Sequence, residues 1–317
     1  MTDLSSAASF RLPTLSASGA GLTLLVLFAV FALASPHFAT VSNLTNILVQ
    51  STILLLLAIP MTFIVMTEGL DLSMGAVATL ASVTLALTLV ATQSITLGLL
   101  ATLAVGGLFG LANGLAVAMA GLPPFVATLG TMGIAQGFAL IASEGNIIVN
   151  LPAAVQSLYS GRLLGIPAPL WIGAAAYLLF HGLLHHTRLG TYVPALGGNR
   201  EALRLAGMKE RQALTLVYLL GGLMAGLAAL LLTARVNAGH PTAGIGLEFD
   251  AVAAVAVGGT QFEHGKGWLF GTLIGVLTIG VLRNGLNLIE VPSSLQVVCV
   301  GVLVVLALFI DGLRSAK

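Results

Sequence analysis

Three groups of residues in this chain have the types and spacing to do chemistry. Carboxylates border apolar runs at Glu68, Asp71 and Asp250. Acids held in lipid are costly, and those that persist titrate, bind ions or serve structure. In Glu68-Gly-Leu-Asp71-Leu-Ser73-Met-Gly75, Asp71 and Ser73 are also good N-caps for a following helix, placed to meet orphan N–H groups and the positive helix end. The segment therefore reads either as a capped, broken helix or as an ion-coupling site. His181 and His185 sit at i, i+4, with His186 beside them. Two histidines so placed bind a metal when a third ligand is near, but no Cys, Asp or Glu is close in sequence, and an interfacial histidine patch is the expectation. Gly265-Lys266 is the nearest thing to a phosphate loop. That motif needs glycine at 260 and Ser or Thr at 267, and the chain has Thr260 and Gly267. No catalytic triad or zinc-protease motif is present, so no catalytic residue, metal or cofactor is expected.

The third group is a concentration of charge. Leu196–Gln212 holds four of the chain's twelve basic residues and two of its eleven acidic ones. Asn199 is a good N-cap, Arg200–Ala206 gives about two helical turns, and Gly207 suits the C′ stop. Glu201 falls in the first turn and Arg204 near the last, each matching the helix dipole. Two turns are not stable alone. Either the neighbouring helix ends hold this helix or a partner does; the alternative is that the charge only sets topology.

The elements that position these groups lie in a membrane. The chain has 317 residues, 57% hydrophobic and 7% charged, against about 25% charged in a soluble domain. About 20 apolar residues span a bilayer as a helix. The expected fold is an all-α integral membrane protein, one domain over 1–317, with about ten spans: 20–34, 44–66, 74–92, 96–120, 125–142, 169–187, 213–234, 249–262, 267–288 and 294–311. The eighth is short enough to be a half-span, tolerated only under a cover of protein. Ala32-Leu33-Ala34 has the pattern of a signal-peptidase site, but a retained first helix is expected because everything after it is also membrane-embedded. With the N-terminus inside, the inner segments hold Arg11, Arg188, Arg200, Arg204, Lys209, Arg211, Lys266, Arg314 and Lys317. The outer side holds only Arg162, Arg235 and Arg283. That bias places both termini, and the 187–212 loop, in the cytoplasm. A net charge of +1 gives no reason to expect nucleic acid.

Glycines recur at spacing four in Gly106/Gly110/Gly114, Gly222/Gly226 and Gly267/Gly271/Gly275. Such spacing lets helix backbones approach closely, within the chain or between subunits. Residues 107–130 and 267–301 share an early LFG, a later NGL and a proline turn. This reads as an inverted-topology repeat of spans 2–5 and 7–10, or as a chance match in a small apolar alphabet. Asn113, Gln136 and Asn284 lie within spans, where they would line a path or hydrogen-bond between helices. Arg162 and Arg235 would either dock a partner through bidentate pairs or anchor neighbouring helices. Cys299, the one cysteine, is a small packing residue.

The motifs EGLDLSMGA (68–76), GLPPFVATLG (121–130), GGNREALRLAG (197–207) and PTAGIGLEFDAVAAVAVGGT (241–260) fall in an order that resembles the permease subunits of bacterial ABC sugar importers, the ribose/xylose-permease family. The resemblance covers essentially the whole chain. It implies a ten-helix permease in the inner membrane, paired with a second permease copy or paralogue. A cytoplasmic ATPase would bind the ATP, and a periplasmic sugar-binding protein would deliver the sugar. Asn199, Arg200, Glu201, Ala202, Leu203, Arg204 and Gly207 then correspond to a coupling helix that docks in the ATPase, with Leu203 filling an apolar pocket there. One departure is Gln261-Phe262-Glu263-His264 after the GGT, whose bulk puts a close backbone approach in doubt. The rival readings are an ion-coupled secondary carrier, a permease for branched-chain amino acids or another small polar solute, and a membrane subunit without a path.

Overall fold

The structure is a computed structural model and describes residues 15–315. Arg11 and Lys317, which entered the charge count above, lie outside the described residues. The chain is an all-α membrane protein. Its helices are α1 (Leu15–Ala34), α2 (Val41–Met66), α3 (Met74–Thr92), α4 (Ile95–Ala118), α5 (Pro124–Ser143), α6 (Ala153–Ser160), α7 (Ala168–His186), α8 (Leu189–Gly198), α9 (Arg200–Leu205), α10 (Glu210–Val236), α11 (Leu247–Val257), α12 (Leu269–Leu288) and α13 (Ser293–Ser315). A two-residue hairpin, β1 (Arg162–Leu163) with β2 (Ile166–Pro167), follows α6.

Among the described residues seven helices are long and apolar enough to cross a bilayer: α2, α3, α4, α5, α7, α10 and α12. The ends carry shorter apolar stretches, Gly19–Ala34 and Ser293–Leu306. The expected eighth span, 249–262, is not a span. It is α11, eleven residues long and so about 16 Å, and it stops at Gly258 and Gly259, the latter in the left-handed region at φ +81°. The residues after it form a loop.

Why α2 lies at the centre follows from its sequence. It is apolar on all faces, so no face prefers lipid over protein, and from Ser51 to Met66 every residue is buried. α7, α10, α11 and α12 surround it. The glycine stripes pack within the chain. A Cβ on Gly106 would strike the Gly222 carbonyl, and one on Gly110 the Tyr218 carbonyl; on α12, one on Gly275 would strike the Ala254 carbonyl. Rising numbers on α4 meet falling numbers on α10, so these two are antiparallel. α12 is antiparallel to α2, with Thr62 bonded to Thr272 at 2.6 Å and Asn43 to Asn284 at 2.8 Å. α4 and α12 therefore run in opposite directions, as an inverted repeat requires.

α4, α5 and α7 are the least covered spans. On α5, Phe125, Val126, Ile134, Phe138 and Ile141 are all exposed. These faces meet lipid or another subunit.

Candidate functional site

One end of the bundle is built around α9. Its Asn199 side-chain oxygen accepts the Ala202 N–H at 2.9 Å. At the other end the Gly207 N–H bonds the Arg204 carbonyl at 3.0 Å and the Met208 N–H bonds Leu203 at 3.1 Å, with Gly207 at φ +70°. That is a Schellman stop, and only a residue tolerant of positive φ closes it without strain. Glu201 pairs with Arg204 at 2.9 Å, and Arg200 with Glu210 at 3.3 Å. Such surface pairs contribute about 0–1 kcal/mol each. They orient side chains more than they hold the fold.

The helix is also fastened from behind by α8, which the charge pattern did not reveal. A Cβ on Gly197 would run into the Met66 carbonyl and the Gly265 backbone, and one on Gly265 into the Pro194 carbonyl. The close backbone approach placed in doubt by Gln261–His264 is thus present, at Gly265. The side chains of Glu263 and His264 are exposed, while the His264 N–H donates to Glu68 at 3.3 Å.

Leu203 is a correction. It is buried in this chain's own core at 6% exposure, and the outward apolar residue is Leu205 at 79%. The Schellman stop explains this, because it packs Met208 back over Leu203. The outward face of α9 is then Arg200, Glu201, Ala202, Arg204 and Leu205. Helical spacing alone pointed to either leucine.

Asp71 and Ser73 lie deep in the fold, both 1% exposed. Asp71 Oδ1 accepts the Ser73 N–H at 2.9 Å and the Ser73 hydroxyl at 2.6 Å. Asn113, on α4, donates to Ser73 Oγ at 2.8 Å and accepts from Thr131 on α5 at 2.7 Å. Ser73 does occupy the N-cap position of α3, but its side chain makes no cap bond. Its hydroxyl is turned to Asp71 and Asn113, so the expected cap is a network tying α3, α4 and α5.

The other two in-span amides also bond between elements. Gln136 donates to the Pro241 carbonyl at 2.8 Å, and Asn284 exchanges bonds with Asn43 at 2.8 and 3.0 Å. Arg283 pairs with buried Asp250 of α11 at 2.7 Å.

At the end opposite α9, a bridge joins Ile148 to Gly239. Arg162 on β1 and Arg235 in the last turn of α10 are both exposed there. Arg235 acts on Tyr159, whose phenol is pushed up by burial and pulled down by that guanidinium. The histidines of α7 stand with the His181 and His185 rings 4.3 Å apart. Among the described residues no three His, Cys, Asp or Glu side chains gather as a metal site needs.

Residues 43–308 match the family described as "Branched-chain amino acid transport system / permease component". The chain belongs to this family. The permease is also similar to individual relatives along nearly all of its length. It is 39% identical to the ribose import permease protein of Escherichia coli (strain K12), covering 93% of each chain. It is 38% identical to the ribose import permease protein of Bacillus subtilis (strain 168), over 94% of this chain and 93% of the relative. It is 35% identical to the D-allose transport system permease protein of E. coli (strain K12), over 92% and 90%. No solved structure matches. The matched residues, 43–308, span the segments from α2 into α13.

Proposed function

We propose that this permease forms the translocation path of an ATP-driven, binding-protein-dependent importer for a monosaccharide of the ribose or allose kind. The relatives named for those sugars, aligned over nine-tenths of the chain, support the solute class. The observation that carries the mechanism is α9, a capped two-turn helix between two spans whose charged side chains point away from the fold. In this reading α9 faces the cytoplasm and docks on a separate ATPase subunit, which binds the ATP. Arg200, Glu201 and Arg204 make the polar contacts, and Leu205 takes the apolar role. Both termini are cytoplasmic. A second permease copy or paralogue packs on the uncovered faces, and the path lies between the two. ATP binding draws the ATPase halves together, moves the two α9 helices, and rocks the bundles about the path.

Replacing residues 200–204 by a Gly/Ser stretch tests this directly. Arg188, Lys209 and Arg211 keep the positive-inside bias, so membrane insertion is expected to survive. The ATPase should no longer co-purify, and sugar uptake should stop. A variant that inserts and still retains both would leave the segment as a topology signal only.

On the opposite face, Arg162 and Arg235 are proposed to meet carboxylates of a periplasmic sugar-binding protein. Charge reversal to Glu at either position should weaken docking at normal expression. Unchanged affinity in both reversals would assign them to helix anchoring.

A further inference from the structure

Two amides of α2 stand where lipid is a poor solvent for them. Asn46 and Gln50 are one turn apart and both exposed. Gln50 lies nine residues into a helix that starts at Val41, about 14 Å along it. Polar side chains at that depth face protein or water rather than lipid tails. The burial around them decides which. Val49 and Ile53 on one flank and Asn43 and Ile47 on the other are buried, and Leu54 and Leu57 close the strip beneath. A lipid-facing strip would continue down the helix. This one ends after Gln50.

The neighbours set its direction. Asn43 bonds Asn284, and a Cβ on Gly280 would meet Ser51 and Ile47, so this face of α2 meets α12. On one side of that contact lies an apolar groove, lined by Leu48 and Thr52 of α2, Leu273 and Leu277 of α12, and residues of α7. At about 100° per residue, Asn46 and Gln50 fall on the other side. So does Arg283, which stands between the α12 residues that meet α2 and those, Gly271 and Gly275, that meet α11. The Asn43–Asn284 bond places Arg283 within a turn of Asn46 in height. The Arg283 side chain is 38% exposed inside an apolar span, although it pairs with Asp250 in the first turn of α11. Its Nε is buried without a hydrogen-bond partner. Three polar side chains from two helices therefore share one water-accessible cleft. It lies at the end of α2 away from Met66, whose carbonyl meets Gly197 beside α9.

We infer that Asn46, Gln50 and Arg283 line the outer half of the solute path, each permease contributing one such wall. The inference rests on the importer reading, which makes the end opposite α9 the outer one and the solute a sugar. Amides suit passage, because each both donates and accepts. A path needs contacts favourable enough to admit the solute and weak enough to release it.

The test is thiol accessibility in the permease–ATPase complex, in sealed vesicles with the outer face exposed. With Cys299 replaced by serine, single cysteines are placed at Asn46, Gln50 and Leu48. A thiol reacts as its thiolate, which apolar surroundings disfavour. A membrane-impermeant maleimide added from outside should label Asn46→Cys and Gln50→Cys. Leu48→Cys, at a position 43% exposed in the apolar groove, should label only after denaturation. Labelled Gln50→Cys should lose most of its sugar uptake relative to the same variant before labelling, with the ATPase still bound. Gln50→Trp, which fills the cleft without chemistry, should also lose most uptake. If Gln50→Cys labels no faster than Leu48→Cys, the strip faces lipid or protein and the inference falls. If it labels fully and uptake persists, the cleft is off the path and the inference falls too. Both results leave the importer standing. Absence of uptake of every monosaccharide by the wild-type complex with a binding protein overturns the importer reading instead.

Discussion

α3 and α11 both begin inside the bundle, and both open on glycine, leucine and an acid: Gly69-Leu70-Asp71 and Gly246-Leu247-Glu248. They run in opposite directions and touch near their starts. A Cβ on Gly75 would strike the Gly244 carbonyl and the Glu248 carboxylate. Two residues beyond each acid, the side chain reaches across to the next long helix. Ser73 meets Asn113 of α4, and Asp250 meets Arg283 of α12. The long helices match in turn, Asn113-Gly114-Leu115 with Asn284-Gly285-Leu286. The two copies differ in chemistry. On the α3 side an acid is surrounded by hydroxyl, amide and N–H groups. On the α11 side an ion pair joins the helices. The bond that joins α3 to α4, Ser73 with Asn113, is between neutral groups, whereas an ion pair weakens steeply as the local dielectric rises. A rise in local dielectric therefore acts more strongly on the α11–α12 ion pair than on the Ser73–Asn113 bond.

The contrast breaks most visibly at Arg283. Arg283→Ala leaves Asp250 buried without its partner, and removing one member of such a pair costs about 3–5 kcal/mol. The expected readout is a large drop in the unfolding temperature of the detergent-solubilised permease. The double change Asp250→Leu with Arg283→Met replaces the pair by apolar groups and should recover most of that loss. If Arg283→Ala is as stable as wild type, the pair is already wet and the proposed asymmetry disappears.

A smaller effect is expected on the α3 side. Asp71→Ala strands the Ser73 N–H and hydroxyl in a buried site, at about 1–3 kcal/mol. Asn113 still reaches Ser73 Oγ at 2.8 Å, so the α3–α4 link is weakened rather than cut. A loss as large as that of Arg283→Ala would mean that both sides depend on charge.

These side chains also mark where sequence reasoning stopped. The start and stop of α9 are legible in the sequence, because a cap, a dipole pattern and a C′ glycine act within nine residues. Seven of the ten expected spans are legible among the described residues, because lipid imposes a length and a composition. α11 was legible as too short, although its end at Gly258 was not. The pairing of Asp250 with Arg283 was not legible, since 33 residues and a helix reversal separate them. Leu203 and Leu205 were separable only by the turn that follows them. The Asp71 network is half legible: local propensity marks the acid and the serine as caps or as an ion-coupling pair. The neighbour that redirects Ser73, Asn113, arrives from 40 residues away. Tyr218 gives no signal in the sequence, because its hydroxyl is seen to be buried and without a hydrogen-bond partner only once the walls around it are known.

The smallest expected effect is the most discriminating. Asp71→Asn keeps the shape of the side chain and one acceptor oxygen while removing the charge. Asp71 Oδ1 alone takes both bonds from Ser73, at 2.9 and 2.6 Å, and an asparagine Oδ1 placed there accepts the same two. The amide would have to put its NH₂ on the side away from Ser73. Since Asn and Asp rank together where a side chain accepts backbone N–H bonds at a helix start, stability should stay within about 0.5 kcal/mol of wild type. Sugar uptake should fall by less than half, because the two bonds from Ser73 need an acceptor oxygen rather than a charge. The comparison sharpens if the matching neutral change at the other copy, Asp250→Asn, is clearly worse, since Arg283 then faces a neutral amide. An Asp71→Asn permease that folds normally but no longer transports would show that the carboxylate's charge is itself required. The α3 side would then be the ion-dependent half, and the asymmetry argued from its neighbours would be reversed.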